Sequence, residues 1–352
     1  SWPSQPGNTS LAVSTLEQGH VFHSWNPVKE VYSYPTEIET GHSYWFKHRY
    51  KDAVIFEEDT ATAIPLDSFV IDLRSGWNLI GSPFSFPVKF EKDSIVSDPI
   101  TYGLPDKSSG WSGPQNELMP WNGYAVYSAQ AAAITILPFS DPDSSAARVV
   151  STNEWYLNIK LESDTYFNYS SEIGRRKYAN NSYDHFDTPL FPEIDKGVSL
   201  AMDLNGSGLF NYQRDIRDIE EMNGIWNLRL DNNEGNKEIF LSGDLRGSIP
   251  DEFHIAMVDI AERNVINTFL EEGMIINQYS DLSYDIKLVA GDLDYVNRTT
   301  EEILSNIPSE FSLGQNYPNP FNPITKMDYT LPKRSRVIIS IYNVLGQEIV
   351  NL

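Results

Sequence analysis

Histidine is the first side chain to weigh as a reactive group, and the chain has His20, His23, His42, His48, His185 and His254. His20 and His23 form an H-x-x-H. On a strand that spacing sends the two rings to opposite faces, and no H-E-x-x-H is present to make a zinc-protease helix. Both read as structural or solvated side chains. Asp184-His185 is a pair of sequence neighbours, whereas a serine triad needs three groups in hydrogen-bonding succession. No G-x-S-x-G supplies the nucleophile turn, and no Walker or dinucleotide glycine pattern supplies a phosphate cradle. Cysteine is absent, which removes disulfides, thiolate metal sites and thiol nucleophiles together. Close carboxylate pairs carry no information here, because 49 acidic residues make them in any fold.

Calcium is the best-supported cofactor expectation. Hard cations take carboxylate, amide and backbone oxygens presented on turns. Asp203-Leu204-Asn205-Gly206-Ser207-Gly208 begins like such a loop, but Arg214 stands where the closing Glu belongs. Asp292 with Asp294 is a second candidate, and Asp184 with Asp187 a third. The competing reading is a set of solvated turns on an acidic surface. Trp25, Trp45, Trp111 and Trp121 lie in loops or at strand ends, where flat indoles can stack on sugar rings. Their competing reading is core packing, the usual fate of aromatics. Arg214-Asp215-Ile216-Arg217, with Glu220 and Glu221, reads as an internal salt-bridge network, and Arg175-Arg176-Lys177 as a solvated basic loop.

The elements that carry these residues are strands. Runs rich in Val, Ile, Tyr and Phe are separated by Gly, Pro, Asn, Asp and Ser, as at Ser68 to Leu73, Trp155 to Leu161, Ile225 to Leu230, Glu238 to Leu241, Phe253 to Val258 and Arg336 to Tyr342. Helical turns fit only Phe210 to Met222 and Thr299 to Ile307. The expected fold is all-β. Residues 1–144 read as two degenerate copies of a small β module. Ile38 to Phe46 matches Met119 to Val126, with Gly41 opposite Gly123, and the first copy lacks the strand that the second spells Gly76-Trp77-Asn78-Leu79-Ile80. Such copies cover each other's apolar faces. Asp141 to Ala147 reads as a linker. Residues 145–308 read as one Ig-like β-sandwich, and 309–352 as a linker and a partial β domain. Two or three strands cannot bury a core alone, so this tail is expected to pack poorly or to be completed by another chain.

Length and charge set the outer bounds. The chain has 352 residues and a net charge of −23, which argues against a nucleic-acid partner and against a polybasic membrane-surface module. A hydrophobic content of 40% with 12% aromatics argues against disorder throughout. No apolar run approaches the roughly 20 residues of a membrane helix. Starting at Ser1 without a leader, the chain reads as a processed or excised piece.

One stretch resembles a known family. Leu313-Gly314-Gln315-Asn316-Tyr317-Pro318-Asn319-Pro320-Phe321-Asn322-Pro323, then Met327-Asp328-Tyr329 with Leu331-Pro332, then Ile341-Tyr342-Asn343 and Leu345-Gly346-Gln347, is similar to the type A C-terminal sorting domain of type IX secretion cargo. The family's domain normally continues with further strands that are missing here. The resemblance implies export, an outer-membrane translocon as partner, removal of the domain, and release or attachment at the surface. The middle unit more weakly resembles a β-sandwich that precedes this domain in such cargo, through Trp155-Tyr156-Leu157, Asp184 to Asp187, Pro189, Phe191 to Glu193, Arg214 to Arg217, Trp226 to Leu228 and Tyr284 to Ile286. These are accessory modules without shared chemistry.

The expectation is therefore a non-catalytic, C-terminal region of a secreted or cell-surface protein with a structural, adhesive or assembly role. Its acidic charge keeps it soluble. Surface polysaccharide or further copies of the chain are the other expected partners. The alternatives are a carbohydrate-binding accessory module, and the tail of a secreted hydrolase whose catalytic domain is absent from this chain.

Overall fold

A computed structural model describes residues 5–6, 20–48, 61–62, 66–104, 107–138, 154–192, 197–233, 235, 238–247, 249, 252–277, 283–320, 322–332, 335, 337–343 and 345–351. The fold is all-β, as expected. Helix is confined, among the described residues, to a 3₁₀ turn at Leu204–Gly206, a single turn at Phe269–Glu272, and Leu293–Ser305.

The small modules recur as hairpins with aromatic cross-strand pairs. In the first, His20–Asn26 pairs antiparallel with Val31–Ser33 and sets Trp25 against Tyr32. In the second, Ile100–Leu104 pairs with Lys107–Trp111 and sets Tyr102 against Trp111. The ring centroids are 4.9 and 5.4 Å apart. Directly opposed aromatics are a favoured sheet contact, and here the two copies keep the pair while exchanging Trp and Tyr.

Two turns in this region share the same closure. The Tyr44 hydroxyl accepts from the Glu39 backbone N–H at 2.8 Å, and Tyr124 accepts from Met119 at 2.7 Å. The turns they close also match: His42 N–H donates to Glu39 O, and Asn122 N–H to Met119 O. Gly41 therefore stands opposite Trp121, not Gly123. Both occupy a positive-φ position, which the third residue of a type II turn requires. The two copies meet at one strand. Gly76–Gly81 pairs along its length with Gly123–Ser128, while Gly81 N–H also donates to Gly41 O at 2.9 Å and Ser43 N–H to Leu79 O at 3.3 Å.

The boundary expected at 144–145 lies outside the described residues. On either side of it the chain is fused into one sheet. Lys107–Trp111 runs parallel to the start of Phe167–Arg176, with Gly110 opposite Phe167 and Trp111 opposite Asn168. Gly110 allows that approach, because a Cβ there would lie 1.8 Å from the Phe167 carbonyl oxygen. Trp77 and Trp111 both pack edge-on to Phe191, at 5.0 and 4.7 Å.

The large unit is sandwich-like. Trp155–Glu162, Phe167–Arg176, Glu238–Gly247 and Met274–Asn277 form one wall. Val198–Asp203, Phe210–Asp218, Gly224–Asn232, Tyr284–Asp292 and Phe253–Asp259 form the other. The parallel pair of Phe167–Arg176 with Phe210–Asp218 joins them. Alternation drives the packing: Trp226, Leu228 and Leu230 are fully buried, while Asn227 and Arg229 between them are half-buried. Trp155 meets Trp226 across the core at 5.9 Å.

Two expectations about helix are corrected. Phe210–Asp218 is a strand, because its central position between neighbouring strands outweighs local propensity. The helix near Thr299 is longer than expected, Leu293–Ser305, and Asp292 caps it by accepting from Tyr295 N–H at 2.8 Å.

The tail forms two short hairpins. Ser312–Leu313 pairs with Tyr329–Thr330, and Ser340–Tyr342 with Glu348–Asn351. No described residue from 309 onward is buried. Arg263, at a turn of the sandwich, reaches the tail at Pro332: its Nη2 donates to that carbonyl at 3.3 Å, and also to the carbonyls of Ile307 at 3.4 Å and Pro308, just before the tail.

Candidate functional site

The four tryptophans expected as a sugar platform do not share one surface. Trp111 is a correction: it is 3% exposed, because it faces the seam between the modules and the sandwich. Its indole N–H is buried without a hydrogen-bond partner. Trp25 is half-buried, and its Nε1 donates to the Trp77 carbonyl at 2.8 Å. Trp45 is half-buried against Tyr102 at 4.8 Å and Trp111 at 5.7 Å. Its Nε1 donates to the Tyr32 hydroxyl at 3.2 Å, and Tyr32 in turn donates to Pro192 O at 2.6 Å. Trp121 stands apart at 62% exposed.

What the structure brings together is a cleft of about 210 Å³ beside Trp45, Tyr102 and Trp111, lined also by Leu79, Gly123 and Ala125. Sequence reasoning missed Tyr102. The available signal was its place opposite Trp111 in the hairpin, matching Trp25 and Tyr32.

The acidic residues read as calcium candidates accept local hydrogen bonds. Asp203 closes its own turn, accepting from the Ser207 hydroxyl and the Gly208 N–H, each at 2.9 Å. The side chain of Asn205 lies outside the described residues. Asp292 is a helix cap that also accepts from Asn223 Nδ2, and Asp294 sits in the first helical turn, where negative charge suits the helix dipole. Among the described residues no three His, Asp or Glu side chains group as a metal site would require.

The densest chemistry in the sandwich is a buried ionic network. Glu172, 3% exposed, accepts from Arg214 Nε at 2.9 Å and from Arg246 Nη2. Asp215 pairs with Arg217 at 2.8 Å, and Arg217 lies over the Trp226 ring. Arg175 corrects the solvated-loop reading. It is buried at the end of a strand, donates to Asp218 O at 2.6 Å and Asn223 O at 2.7 Å, and lies 5.3 Å from the Trp226 ring centroid. Burial, with Arg217 nearby, pulls its pKa down to about 10. Asp187 accepts from Ile216 N–H and Asp184 N–H, each at 2.9 Å. Burial pushes its carboxyl up to about 7 against those two donors. His185 lies against Phe186 on an exposed turn. These contacts hold turns and strands together around the large core.

In the tail, the asparagines build turns. Asn316 Nδ2 donates to Thr325 Oγ1 at 3.2 Å, Asn319 Nδ2 to Asn316 Oδ1 at 3.3 Å, and Thr325 Oγ1 to Pro318 O at 2.9 Å. Tyr317 and Lys326 exchange both backbone hydrogen bonds. Asn343 Oδ1 accepts from Leu345 N–H and Gln347 N–H, and Gly346 turns the chain at positive φ. Leu313, Gln315, Pro320, Asn322, Pro323, Tyr342 and Leu345 are all exposed. Phe321 lies outside the described residues. No helix among the described residues is long and apolar enough to cross a membrane.

Comparison with protein-family models, with curated proteins and with solved structures finds no match to this chain.

Proposed function

We propose that this chain is the C-terminal, non-catalytic region of a protein exported to the cell surface or the medium. In this reading residues 309–352 carry a type IX sorting signal, and the β modules and sandwich serve a structural, adhesive or assembly role. The observation that carries the reading is the motif from Leu313 to Pro323 with its continuation at Tyr342-Asn343 and Leu345-Gly346.

Two features support it. The tail stands off the sandwich core, with Tyr317 79% exposed, so a receptor has access to it. Its asparagine and threonine side chains stiffen a segment with little core, and a pre-organised segment loses less entropy on recognition. The body of the chain uses its buried charges for cross-links and turns, which suits a passive scaffold.

The reading is tested by expressing the gene in a host with a type IX translocon, with and without residues 313–323. Export of the intact chain and retention of the deleted one inside the cell supports it. Equal export of both, or retention of both, contradicts it.

A further inference from the structure

We propose that Tyr127 and Tyr183 form an oxidative cross-linking site, at which a haem peroxidase supplied with hydrogen peroxide joins the two rings as dityrosine and locks the second small module to the sandwich.

Three observations lead there. The first is contact. Tyr127 lies on the module strand Gly123–Ser128, and Tyr183 on the turn between Phe167–Arg176 and Thr188–Pro189. Their hydroxyls meet at 3.3 Å across 56 residues of chain. Dityrosine carries its two hydroxyls side by side, on the carbons next to the new bond, so the pair already sets its oxygens as the product does. Holding two reactants together in this way makes their coupling effectively unimolecular. Tyr183 is 47% exposed, which gives an oxidant access, while Tyr127 is half-buried.

The second is rigidity. The turn that carries Tyr183 is pinned on both sides. Asn180 N–H donates to Asp184 Oδ2 at 2.6 Å and Ser182 N–H to Asn180 Oδ1 at 3.1 Å. Asp187, further on, accepts from Ile216 N–H at 2.9 Å. Tyr127 sits in a strand paired along its length with Gly76–Gly81. Both phenols therefore stay in place while a first radical survives.

The third is the aromatic surroundings. Trp77 packs edge-on to Tyr127 at 5.6 Å, and Tyr212 lies 5.8 Å from Tyr183. A tyrosine that can release its proton is easier to oxidise than a tryptophan, so an electron vacancy formed on Trp77 passes to Tyr127. The hydrogen bond between the two hydroxyls gives a departing phenolic proton an acceptor.

The coupling balances as follows. Each ring loses one electron and its phenolic proton. The two phenoxyl radicals join through their ortho carbons, and the ortho hydrogens move to the oxygens to restore both phenols. One hydrogen peroxide takes up the two electrons and two protons and leaves as two waters. The chain has no cysteine and so no disulfide to fix this seam; hydrogen bonds span it, among them Trp77 Nε1 to Leu190 O at 3.1 Å. A carbon–carbon bond here closes a loop in the unfolded chain and stabilises as a disulfide does.

The proposal does not depend on the export reading, which rests on the tail. The test is oxidation of the whole chain, at low concentration, with a haem peroxidase and hydrogen peroxide, followed by digestion and peptide mapping. A linked pair of peptides holding Tyr127 and Tyr183, lighter by two hydrogens than their sum, is expected in monomer-sized material, at a yield per chain that dilution does not lower. The linked chain is expected to melt a few degrees higher. Tyr127→Phe and Tyr183→Phe, which keep the ring and its packing, are each expected to abolish both the link and the rise in melting. Tyr178 and Tyr317 are more exposed, at 81% and 79%, so exposure alone predicts links through them between chains. Such links in place of the Tyr127–Tyr183 pair, a link from Tyr183 to Tyr212 instead, or a rise in melting that persists in either variant would overturn the proposal.

Discussion

Gly41 and Trp121 stand at the same position of the same turn, with φ of +81° and +67°. The residues that close the two turns are also equivalent, Tyr44 to Glu39 and Tyr124 to Met119. One backbone thus carries two very different side chains. At Gly41 the neighbourhood explains the choice: a Cβ there would lie 2.6 Å from Phe69 Cε1. At Trp121 the indole is largely in solvent.

This gives a stability prediction of opposite sign at the two sites. Trp121→Gly relieves a strained φ and is expected to stabilise by about 1 kcal/mol. Gly41→Ala adds both strain and a clash and is expected to cost about 2 kcal/mol or more. Thermal melts of the two variants beside the parent check this.

Glu172 holds Arg214 and Arg246 from inside the sandwich. Removing it leaves Arg214 largely buried without its carboxylate. Glu172→Ala is expected to cost about 3–5 kcal/mol, read by urea denaturation. Replacing Glu172 and Arg214 together by leucine is expected to recover part of that loss, because the desolvation of both charges disappears.

Asp187 sets a pH dependence. Its carboxyl is pushed up to about 7 in the fold from an ordinary 3.8. The folded state therefore holds a proton that the unfolded state has lost, and stability falls as pH rises through that window. At about 1.4 kcal/mol per pKa unit the contribution is at most a few kcal/mol. Asp187→Asn is expected to flatten the stability profile between about pH 4 and 7 relative to the parent. Denaturation midpoints of both proteins across that range decide it.

Arg263 links the sandwich to the tail at Pro332 O and to the segment just before it at Ile307 O and Pro308 O. Arg263→Ala is expected to speed proteolysis within residues 310–351 while moving the main unfolding transition by no more than about 0.5 kcal/mol. Timed digestion with mass mapping, run beside a melt, checks both halves.

How much of this was legible in the residues differs by element. Strands such as Phe69–Leu73 and Phe253–Asp259 declare themselves through β-branched and aromatic runs, because that signal is local. The likeness of the two Gly-Tyr segments was legible by letter as well. Matching letters put Gly41 on Gly123, whereas the shared feature is a backbone conformation that Gly41 and Trp121 both adopt. Asp292 and Asp294 read equally as cation ligands or as the start of a helix, because a helix cap and a calcium loop use the same acidic letters. That Asp292 caps the helix by accepting from Tyr295 N–H shows only in the structure. The burial of Trp111 and Arg175 depends on partners far away in the chain, Phe191 for one and Asn223 for the other. No short window of sequence holds that information.

The central claim is that the tail is an export address carried by a passive scaffold. The most direct measurement is the C-terminus of the mature chain recovered from the surface or medium of a host with a type IX translocon, determined by peptide mapping. A terminus upstream of Leu313, with the same chain retained and uncut in a translocon-deficient strain, is the predicted result. A chain exported from both strains that still carries residues 313–351 would contradict it.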